Sequence, residues 1–285
     1  MSYQHRPVML KETVEFLKPA PGQVFVDATL GGGGHAEALL AAGGQVIAFD
    51  QDRDALAAAK ARLAGHENIE FIHDNFSNLK KHIKAPVDGI LFDLGVSSYQ
   101  LDESSRGFSL QQAGPLDMRM NKAAQLTAAD IVNAYSVDEL ARLFKEYGEE
   151  RFAGRISRAI CARREKQPIA TTLELKEIVE KAIPTWKKRE SVTRVFQALR
   201  IAVNQELDSL QLALDAAVDL LKPGGRIVVI SYHSLEDRIV KHTFRELAKN
   251  AILHLLTKKP QLPGEAEAAE NPRSRSAKLR AAEKL

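Results

Sequence analysis

The sequence is poor in cysteine and has no long apolar run. Cys161 is the only cysteine among 285 residues, so the chain cannot close an intramolecular disulfide and offers no second thiol for a zinc cluster. We therefore expect no metal site and a reducing compartment. No stretch approaches the roughly 18 apolar residues that cross a bilayer, and the opening residues, MSYQHRPVMLKE, lack the apolar core of a secretory signal. These absences predict a cytoplasmic protein that has no membrane partner.

Charge is unevenly distributed along the chain. A composition of 45% hydrophobic and 27% charged residues with a net charge of +3 is typical of a folded globular protein. Residues 1–100 contain 9 Lys or Arg and 12 Asp or Glu, whereas residues 142–200 contain 15 and 8. This division suggests that one part holds a small molecule and another faces a polyanion, although cations that merely solvate helix faces would give the same counts.

The two ends of the chain alternate apolar runs with helical stretches, which predicts a parallel sheet with helices on both faces. The predicted strands are residues 23–28, 45–50, 69–73, 87–94, 226–232, 251–258 and 273–282. The predicted helices beside them are residues 35–42, 53–64, 206–221 and 234–249. KPGG at 222–225 is predicted to be a turn, and QLPGEAEAAENP at 261–272 a loop.

The middle of the chain contains no convincing strand. Its predicted helices are residues 137–147, 151–166, 172–182 and 192–203, with Pro168 and Pro184 between them. We therefore predict an α/β domain in two parts, residues 1–104 and 205–285, with an inserted all-helical domain at 105–204 that recognises the substrate.

Four glycines at 31–34 follow the first strand, which ends near Asp27, and precede a helix. Without β-carbons they let a ligand approach the backbone, and free amides at the helix start point at its polar groups. Asp50, at the tip of the second strand, comes 19 residues after Gly31, which is the spacing at which an acid accepts both hydroxyls of a ribose. A plain tight turn is the alternative, and a nucleoside site is the favoured interpretation.

The pattern favours a nucleoside without phosphates. GxGxxG is matched imperfectly and no phosphate-binding lysine follows the glycines, so NAD and ATP are less favoured than S-adenosylmethionine. Phe76 could then lie against the adenine, although a core aromatic is the commoner role for such a residue. Asp93 could face the same crevice at the end of the fourth strand.

Several long blocks resemble the bacterial ribosomal RNA small subunit methyltransferase H family, also called MraW. They are DATLGGGGH at 27–35, FDLGVSSYQLD at 92–102, RGFS at 106–109, GPLDMRM at 114–120, YGEERFAGRISRAI at 147–160, FQALRIAVNQEL at 196–207, KPGGR at 222–226, ISYHSLEDRIVK at 230–241 and ENPRSRSAKLRAAE at 270–283. The resemblance departs at Glu190, Ser191 and Val192, where the family usually has His-Pro, and the segment between Arg245 and Pro263 is shorter than in some relatives.

The resemblance implies a class I (Rossmann-like) S-adenosylmethionine-dependent methyltransferase fold with an inserted helical domain. It implies methyl transfer to the exocyclic N4 of a cytidine in the decoding centre, the P-site region, of small-subunit (16S) ribosomal RNA. The family's cofactor-binding positions fall on Gly33, Gly34, His35, Asp50, Phe76, Asp93 and Gln100. The RNA would be bound in an assembled or nearly assembled subunit, and a homodimer is left open.

A sulfonium methyl is already activated, so the protein must mainly align the reacting atoms and exclude water. An acceptor that relieves the positive charge developing on the amino group would help, and the candidates are Asp93, Asp117 and His233. Two of them have a structural alternative: Asp117 could form an ion pair with Arg119, and Ser234 with Asp237 resembles a helix cap beside His233.

Three basic clusters are candidates for contact with RNA phosphates. Arg151, Arg155 and Arg158 lie on one face of a predicted helix beside an apolar stripe. The other two clusters are Lys187, Lys188 and Arg189, and Arg273, Arg275, Lys278 and Arg280. A solvated surface is the alternative for each, and because a base in folded RNA must be unstacked to react, we expect recognition by shape and by an exposed single strand.

Two other functions remain open from the sequence. A noncatalytic ribosome-assembly factor would keep the same fold and basic insertion, and a nicotinamide-dependent oxidoreductase would use a similar sheet. The glycine pattern and the missing phosphate site argue against the oxidoreductase.

Overall fold

The computed structural model describes residues 7–285, and within them seven strands and thirteen α-helices follow one another. The strands are β1 (Val24–Asp27), β2 (Gln45–Asp50), β3 (Ile69–His73), β4 (Val87–Asp93), β5 (Leu221–Ser231), β6 (Leu253–Leu255) and β7 (Lys278–Lys284). The helices are α1 (Leu10–Leu17), α2 (Gly34–Ala41), α3 (Arg53–Arg62), α4 (Leu79–His82), α5 (Ser98–Asp102), α6 (Ala128–Ala134), α7 (Val137–Gly148), α8 (Ala153–Arg164), α9 (Thr172–Ala182), α10 (Lys188–Asn204), α11 (Glu206–Leu220), α12 (Ser234–Lys249) and α13 (Glu265–Glu270). None of these helices is both long and apolar enough to cross a bilayer.

The strands form one sheet in the order β3-β2-β1-β4-β5-β7-β6. The five strands from β3 to β5 run parallel, and β7 pairs antiparallel with both β5 and β6. The strand order reverses between β1 and β4, and in sheets of this kind ligands bind beyond the carboxyl ends of the strands at that point. The predicted α/β class with a largely parallel sheet is therefore confirmed.

Both faces of the sheet are buried, because successive strand residues point to opposite sides. Phe25, Leu91 and Val228 pack with residues of α1, α2 and α3 on one face. Val26, Phe92 and Val229 pack with residues of α4, α11 and α12 on the other. This double coverage explains why these strands lack polar alternation.

The chain divides into two compact units. Ser98–Glu206 forms the second unit, and the described residues on either side of it form the first, which contains the sheet. The second unit starts before the predicted boundary at 105, because α5 is tied to the following turn by hydrogen bonds from Glu103 N to Tyr99 O and from Arg106 N to Glu103 O. It is helical, with one isolated bridge between Pro115 and Thr171 among its residues.

Helix starts in the second unit are fixed by reciprocal side-chain caps. Thr127, Ser136 and Thr171 each accept from the amide three residues on, and the acid at that third position accepts from the cap's own amide. Gly148 ends α7 against α10, where a β-carbon would lie 2.7 Å from the Arg194 carbonyl oxygen. The absence of a side chain there lets the two helices pack closely.

Two predictions near the end of the chain are wrong. The predicted loop contains α13, whose alanines and glutamates favour a helix although they supply little apolar surface. The strand predicted at 273–282 begins only at Lys278, because Pro272–Ser276 form a 3-10 turn with a proline at its start and the Asn271 side chain capping the Arg273 amide.

Smaller differences concern element ends. Helix α8 begins at Ala153, so Arg151 precedes it, and α10 begins at Lys188, four residues before the predicted start. The KPGG segment lies within β5 as a bulge: Leu221 pairs with Val87 and Arg226 with Gly89, so the residues between them loop out of the ladder.

Candidate functional site

The carboxyl ends of three neighbouring strands each carry an aspartate. Asp27 ends β1, Asp50 ends β2 and Asp93 ends β4, with β1 in the middle. The strands are parallel, so the three carboxylates lie along the same edge of the sheet, at the point where the strand order reverses. This edge is the candidate site of the first unit.

The turn formed by the glycines at 31–34, which follows β1, lies at this edge of the sheet. Gly31 and Gly33 adopt φ of +50° and +77°, a region that glycine occupies without strain. The Gly31 amide donates to Asp50 Oδ2 at 2.9 Å, and the Gly33 amide to Leu30 O at 2.8 Å. The glycines and Asp50 are therefore in contact, while the role of Asp50 toward a ribose stays a prediction.

Asp50 is held by two backbone amides and retains capacity to accept further hydrogen bonds. Its Oδ1 accepts from the Asp52 amide at 2.9 Å, as Oδ2 does from Gly31. Burial raises the pKa of Asp50 to about 6, against the opposing effect of these two amides. A carboxylate has about four lone-pair sites, so above that pH the ionised group has acceptor sites left for hydroxyls of a ligand.

Asp93 lies at the centre of a second network. Its Oδ1 accepts from the Tyr232 hydroxyl at 2.7 Å, and its Oδ2 lies 3.4 Å from Nε2 of His35. Its backbone amide donates to Thr29 Oγ1 at 2.6 Å. Burial is the main cause that raises the pKa of Tyr232 well above its ordinary value, and the Asp93 carboxylate adds to it. The Tyr232 hydroxyl therefore stays protonated and donates its hydrogen bond to Asp93.

Buried polar atoms without a hydrogen-bond partner in the described chain mark this site. They include Oδ2 of Asp27 and Nδ1 of His35, while Nε2 of His35 faces Asp93 Oδ2 at 3.4 Å. Burial raises the pKa of Asp27 to about 6, opposed by His35. The pKa of His35 is raised, because Asp93 and Asp27 together outweigh the lowering effect of burial. Such atoms are costly unless a ligand completes their hydrogen bonds.

We predict that Asp27→Asn stabilises the ligand-free protein in a pH-dependent way. A folded-state pKa of about 6 against 3.8 means that the wild type loses stability as pH rises through that interval, by about 3 kcal/mol for this shift. The asparagine keeps an oxygen for the Thr29 amide, which donates to Asp27 Oδ1, and does not ionise. Urea unfolding should show the variant gaining about 3 kcal/mol over wild type between pH 4 and pH 8; an equal difference at both pH values would contradict the assignment.

Two further predicted cofactor residues, Phe76 and Gln100, lie in different units of the chain. Phe76 opens a turn after β3, and its half-buried ring packs edge-on against Phe92 with centroids 5.7 Å apart. It thus packs against the core, and its role toward an adenine stays a prediction. Gln100 is buried on α5 and belongs to the second unit.

The structure favours structural roles for two of the catalytic candidates. Both oxygens of Asp117 bind Arg119, at 2.8 Å to Nε and 2.7 Å to Nη2, and these contacts hold the pKa of Asp117 below its ordinary value against the effect of burial. His233 caps α12: its Nδ1 accepts from the Glu236 amide, and Glu236 accepts from the His233 amide.

The helix cap predicted at Ser234 and Asp237 is therefore wrong by one residue. The capping pair is His233 and Glu236, while Asp237 binds Arg280 at 2.7 Å and lies 3.5 Å from Lys278. Arg280 is buried. Two of the four cations in the third basic cluster are thus held by Asp237, and only Arg273 and Arg275 remain as RNA-binding candidates there.

The other basic clusters lie in the second unit. Arg151, Arg155 and Arg158 are all exposed, and α8 buries Ile156 and Ile160. Arg151 lies before the helix, so two of the three cations share the helix surface. In the second cluster Arg189 is exposed and Lys187 and Lys188 are half-buried, and Lys187 Nζ pairs with Glu190 at 2.6 Å.

Sequence reasoning missed Thr29 and Tyr232 and named Asp27 only as a strand end. A usable signal was present, because Tyr232 directly follows β5 and Thr29 lies two residues after β1. Both positions are at the same edge as Asp93. Both contact Asp93, Thr29 because β1 pairs with β4 and Tyr232 because β5 pairs with β4, and the sequence does not reveal these pairings.

Comparison with known proteins gives the same fold and assigns a family. A family model described as the MraW methylase family matches residues 2–285. Two similar proteins, each named Ribosomal RNA small subunit methyltransferase H, are from Halothermothrix orenii, at 48% identity over 99% of both chains, and Carboxydothermus hydrogenoformans, at 51% identity over 100% of this chain and 99% of the other. A crystal structure of an rRNA-methylase candidate from Clostridium thermocellum aligns with a TM-score of 0.51 at 15% identity, covering 99% of this chain and all of that one; at this identity it supports the fold alone.

The site suits the methyl donor that the fold class implies. S-adenosylmethionine offers ribose hydroxyls, which need an acceptor such as Asp50, and an amino-acid end whose ammonium and carboxylate would satisfy the unpartnered atoms of Asp27 and His35. The positive φ at Gly31 and Gly33 explains why glycine occupies both positions of the turn. The chain belongs to the MraW methylase family and uses S-adenosylmethionine as its methyl donor.

Proposed function

We propose that the protein methylates the exocyclic N4 of a cytidine in the decoding centre, the P-site region, of small-subunit (16S) ribosomal RNA. The relatives at about half identity, whose names specify small-subunit ribosomal RNA, support the substrate class. The observation that carries the chemistry is the strand-end cluster of Asp27, Asp50 and Asp93 around the glycine turn. The base and the atom rest on the resemblance of the sequence blocks.

S-adenosylmethionine supplies an activated methyl group on a sulfonium. In our proposal Asp50 orients the ribose, while Asp27, His35 and the helix-start amides of α2 hold the amino-acid end. Gly33, Gly34, Phe76, Asp93 and Gln100 are the other positions that the resemblance of the sequence blocks assigns to the cofactor. These residues do positioning work, which is the main requirement of such a displacement.

We propose Asp93 as the group that accepts a hydrogen bond from the reacting amine and relieves its charge. Asp117 is engaged by Arg119 and His233 by the cap of α12, whereas the Asp93 side chain is 18% exposed beside the buried ring of His35. A carboxylate held by Tyr232 is oriented before the substrate arrives, which lowers the cost of reorganisation.

We predict that Tyr232→Phe weakens S-adenosylmethionine binding by about tenfold, because Asp93, which the resemblance also places among the cofactor-binding positions, loses the hydroxyl that orients it, and a hydrogen bond to a charged group contributes about 1.5 kcal/mol or more. Isothermal titration calorimetry measures the change. Tyr135→Phe, at a half-buried tyrosine of the second unit, makes the same chemical change and should leave the affinity unaltered. Equal affinity for both variants would show that Tyr232 does not position the site.

The substrate side of the proposal uses the second unit as the recognition domain. The exposed arginines before and on α8, the cluster at 187–189, and Arg273 with Arg275 would bind phosphates, with the RNA in an assembled or nearly assembled subunit and the protein as a monomer or homodimer. Such contacts position the RNA without reading its sequence.

Transfer of labelled methyl from S-adenosylmethionine tests the function. Purified protein should label small-subunit particles or their RNA, and nucleoside digestion followed by mass spectrometry should identify N4-methylcytidine. Binding of both cofactor and RNA without incorporation would favour a noncatalytic assembly factor, and label on another base would contradict the cytidine assignment.

A further inference from the structure

The side chain of Trp186 is the most solvent-exposed of the large apolar side chains found exposed in residues 7–285. It is 81% exposed, against 60% for Leu212 and Leu262. Tryptophan normally buries most of its large surface, so leaving it in water is costly in the free protein. A single exposed leucine needs no explanation, but an indole that is 81% exposed suggests a ligand.

The backbone around Trp186 forms a short turn. The residue is in the middle of a 3-10 turn, Thr185–Lys187, closed by a hydrogen bond from Lys187 N to Pro184 O at 3.1 Å. The preceding Ala182 and Ile183 are buried, and α10 follows at once. The ring therefore projects from a short turn that connects buried residues with the start of α10.

Three cations follow the indole directly, at 187–189. Lys187 is engaged by Glu190, whose other oxygen binds Arg194 at 2.7 Å. Lys188 and Arg189 form no ion pair with other residues of the described chain, and Arg189 is exposed. A flat aromatic face beside cations is the arrangement with which proteins bind single-stranded nucleic acid: bases stack on the ring and the cations bind the backbone.

We propose that Trp186 is a stacking platform for an unpaired base of the RNA substrate, with Lys188 and Arg189 binding the adjoining phosphates. The inference rests on the proposed function for the identity of the nucleic acid. It adds a residue and a mode of contact, because phosphate contacts alone would not require an aromatic ring.

The only tryptophan of the chain makes the test specific. Intrinsic tryptophan emission is titrated with a 20-nucleotide single-stranded RNA, with a hairpin of the same composition, and with a single strand carrying abasic sites. Stacking predicts strong quenching by the intact single strand and weak quenching by the other two. Quenching that rises with protein concentration in the absence of RNA would instead identify a second copy of the chain as the occupant and overturn the proposal.

Variants separate stacking from charge. Trp186→Ala should weaken single-strand binding by about 5- to 150-fold, since base stacking contributes about 1–3 kcal/mol, and should leave unchanged the slope of log affinity against log salt. Trp186→Tyr should restore most of the affinity, and Leu212→Ala, which truncates another exposed apolar residue, should have no effect. Lys188→Ala with Arg189→Ala should lower the slope by about 0.7 for each phosphate that the protein no longer neutralises.

The outcomes distinguish this inference from the proposed function. Wild type that methylates ribosomal RNA while Trp186→Ala binds single-stranded RNA as tightly as wild type would overturn the stacking role and leave the function standing. Absence of any RNA binding by the wild type would overturn both. Weakened binding in Trp186→Ala with unchanged salt slope, and rescue by tyrosine, would support the proposal.

Discussion

Asp50→Ala is expected to weaken S-adenosylmethionine binding by about two orders of magnitude or more while the protein remains folded. Both ribose hydroxyls would lose an ionised acceptor, and a hydrogen bond to a charged group contributes about 1.5–3 kcal/mol. Asp50 also accepts a hydrogen bond from the Gly31 amide at 2.9 Å. The alanine variant loses this contact, which holds the glycine turn. Calorimetric titration measures the affinity, and circular dichroism checks the fold.

Two control variants test the prediction for Asp50, one with a milder change at the same residue and one that removes a carboxylate elsewhere. Asp50→Asn keeps one acceptor oxygen and should lie between alanine and wild type. Asp219→Ala removes an exposed carboxylate near the end of α11, just before β5 and thus at the opposite edge of the sheet, and should bind like wild type.

Because the pKa of Asp50 is raised to about 6, wild-type affinity should fall below that pH as the carboxylate takes up a proton. An unchanged affinity in Asp50→Ala would mean that the ribose lies elsewhere.

Replacing Arg151, Arg155 and Arg158 together by glutamate is expected to reduce RNA affinity by more than about a hundred-fold at low salt and to spare cofactor binding. The variant no longer neutralises three phosphates and adds three repulsive charges, so the slope of log affinity against log salt should also fall by about two. Filter binding over a range of salt concentrations measures both quantities. The helix interior should tolerate the change, because all three side chains are exposed.

A matched charge reversal separates a local contact from a general effect of net charge. Lys81, Lys84 and Lys249 are exposed in the first unit, and their replacement by glutamate alters the net charge by the same amount. This control should bind RNA several-fold more weakly through long-range repulsion but keep most of the salt slope. If both triple variants behaved alike, the phosphate role of the α8 cluster would be wrong.

The sequence predicts the elements whose ends carry strong local signals. The bounds of β2, β3, α9 and α12 agree with the prediction. Apolar runs bounded by polar residues mark the strands, and Thr171 with Glu174 marks the start of α9. The glycine turn and Asp50 meet as expected, since both follow parallel neighbouring strands. Such features depend on residues close together in the chain.

What the sequence did not reveal depends on tertiary packing or weak local signals. Tyr232 reaches Asp93 across 139 residues only because Ile230 of β5 pairs with Asp93 of β4. Helix α13 was missed because its Ala and Glu residues have high propensity but no apolar stripe. The cap of α12 was misplaced because histidine is not among the preferred cap residues, although His233 performs that role.

Mapping modified nucleotides in small-subunit ribosomal RNA from cells with and without this protein tests the central claim most directly. The account predicts that one decoding-centre cytidine loses its N4 methyl group in the deleted strain and regains it when the wild-type gene, but not one encoding Asp50→Ala, is supplied. Identical modification of that RNA in both strains would contradict the account.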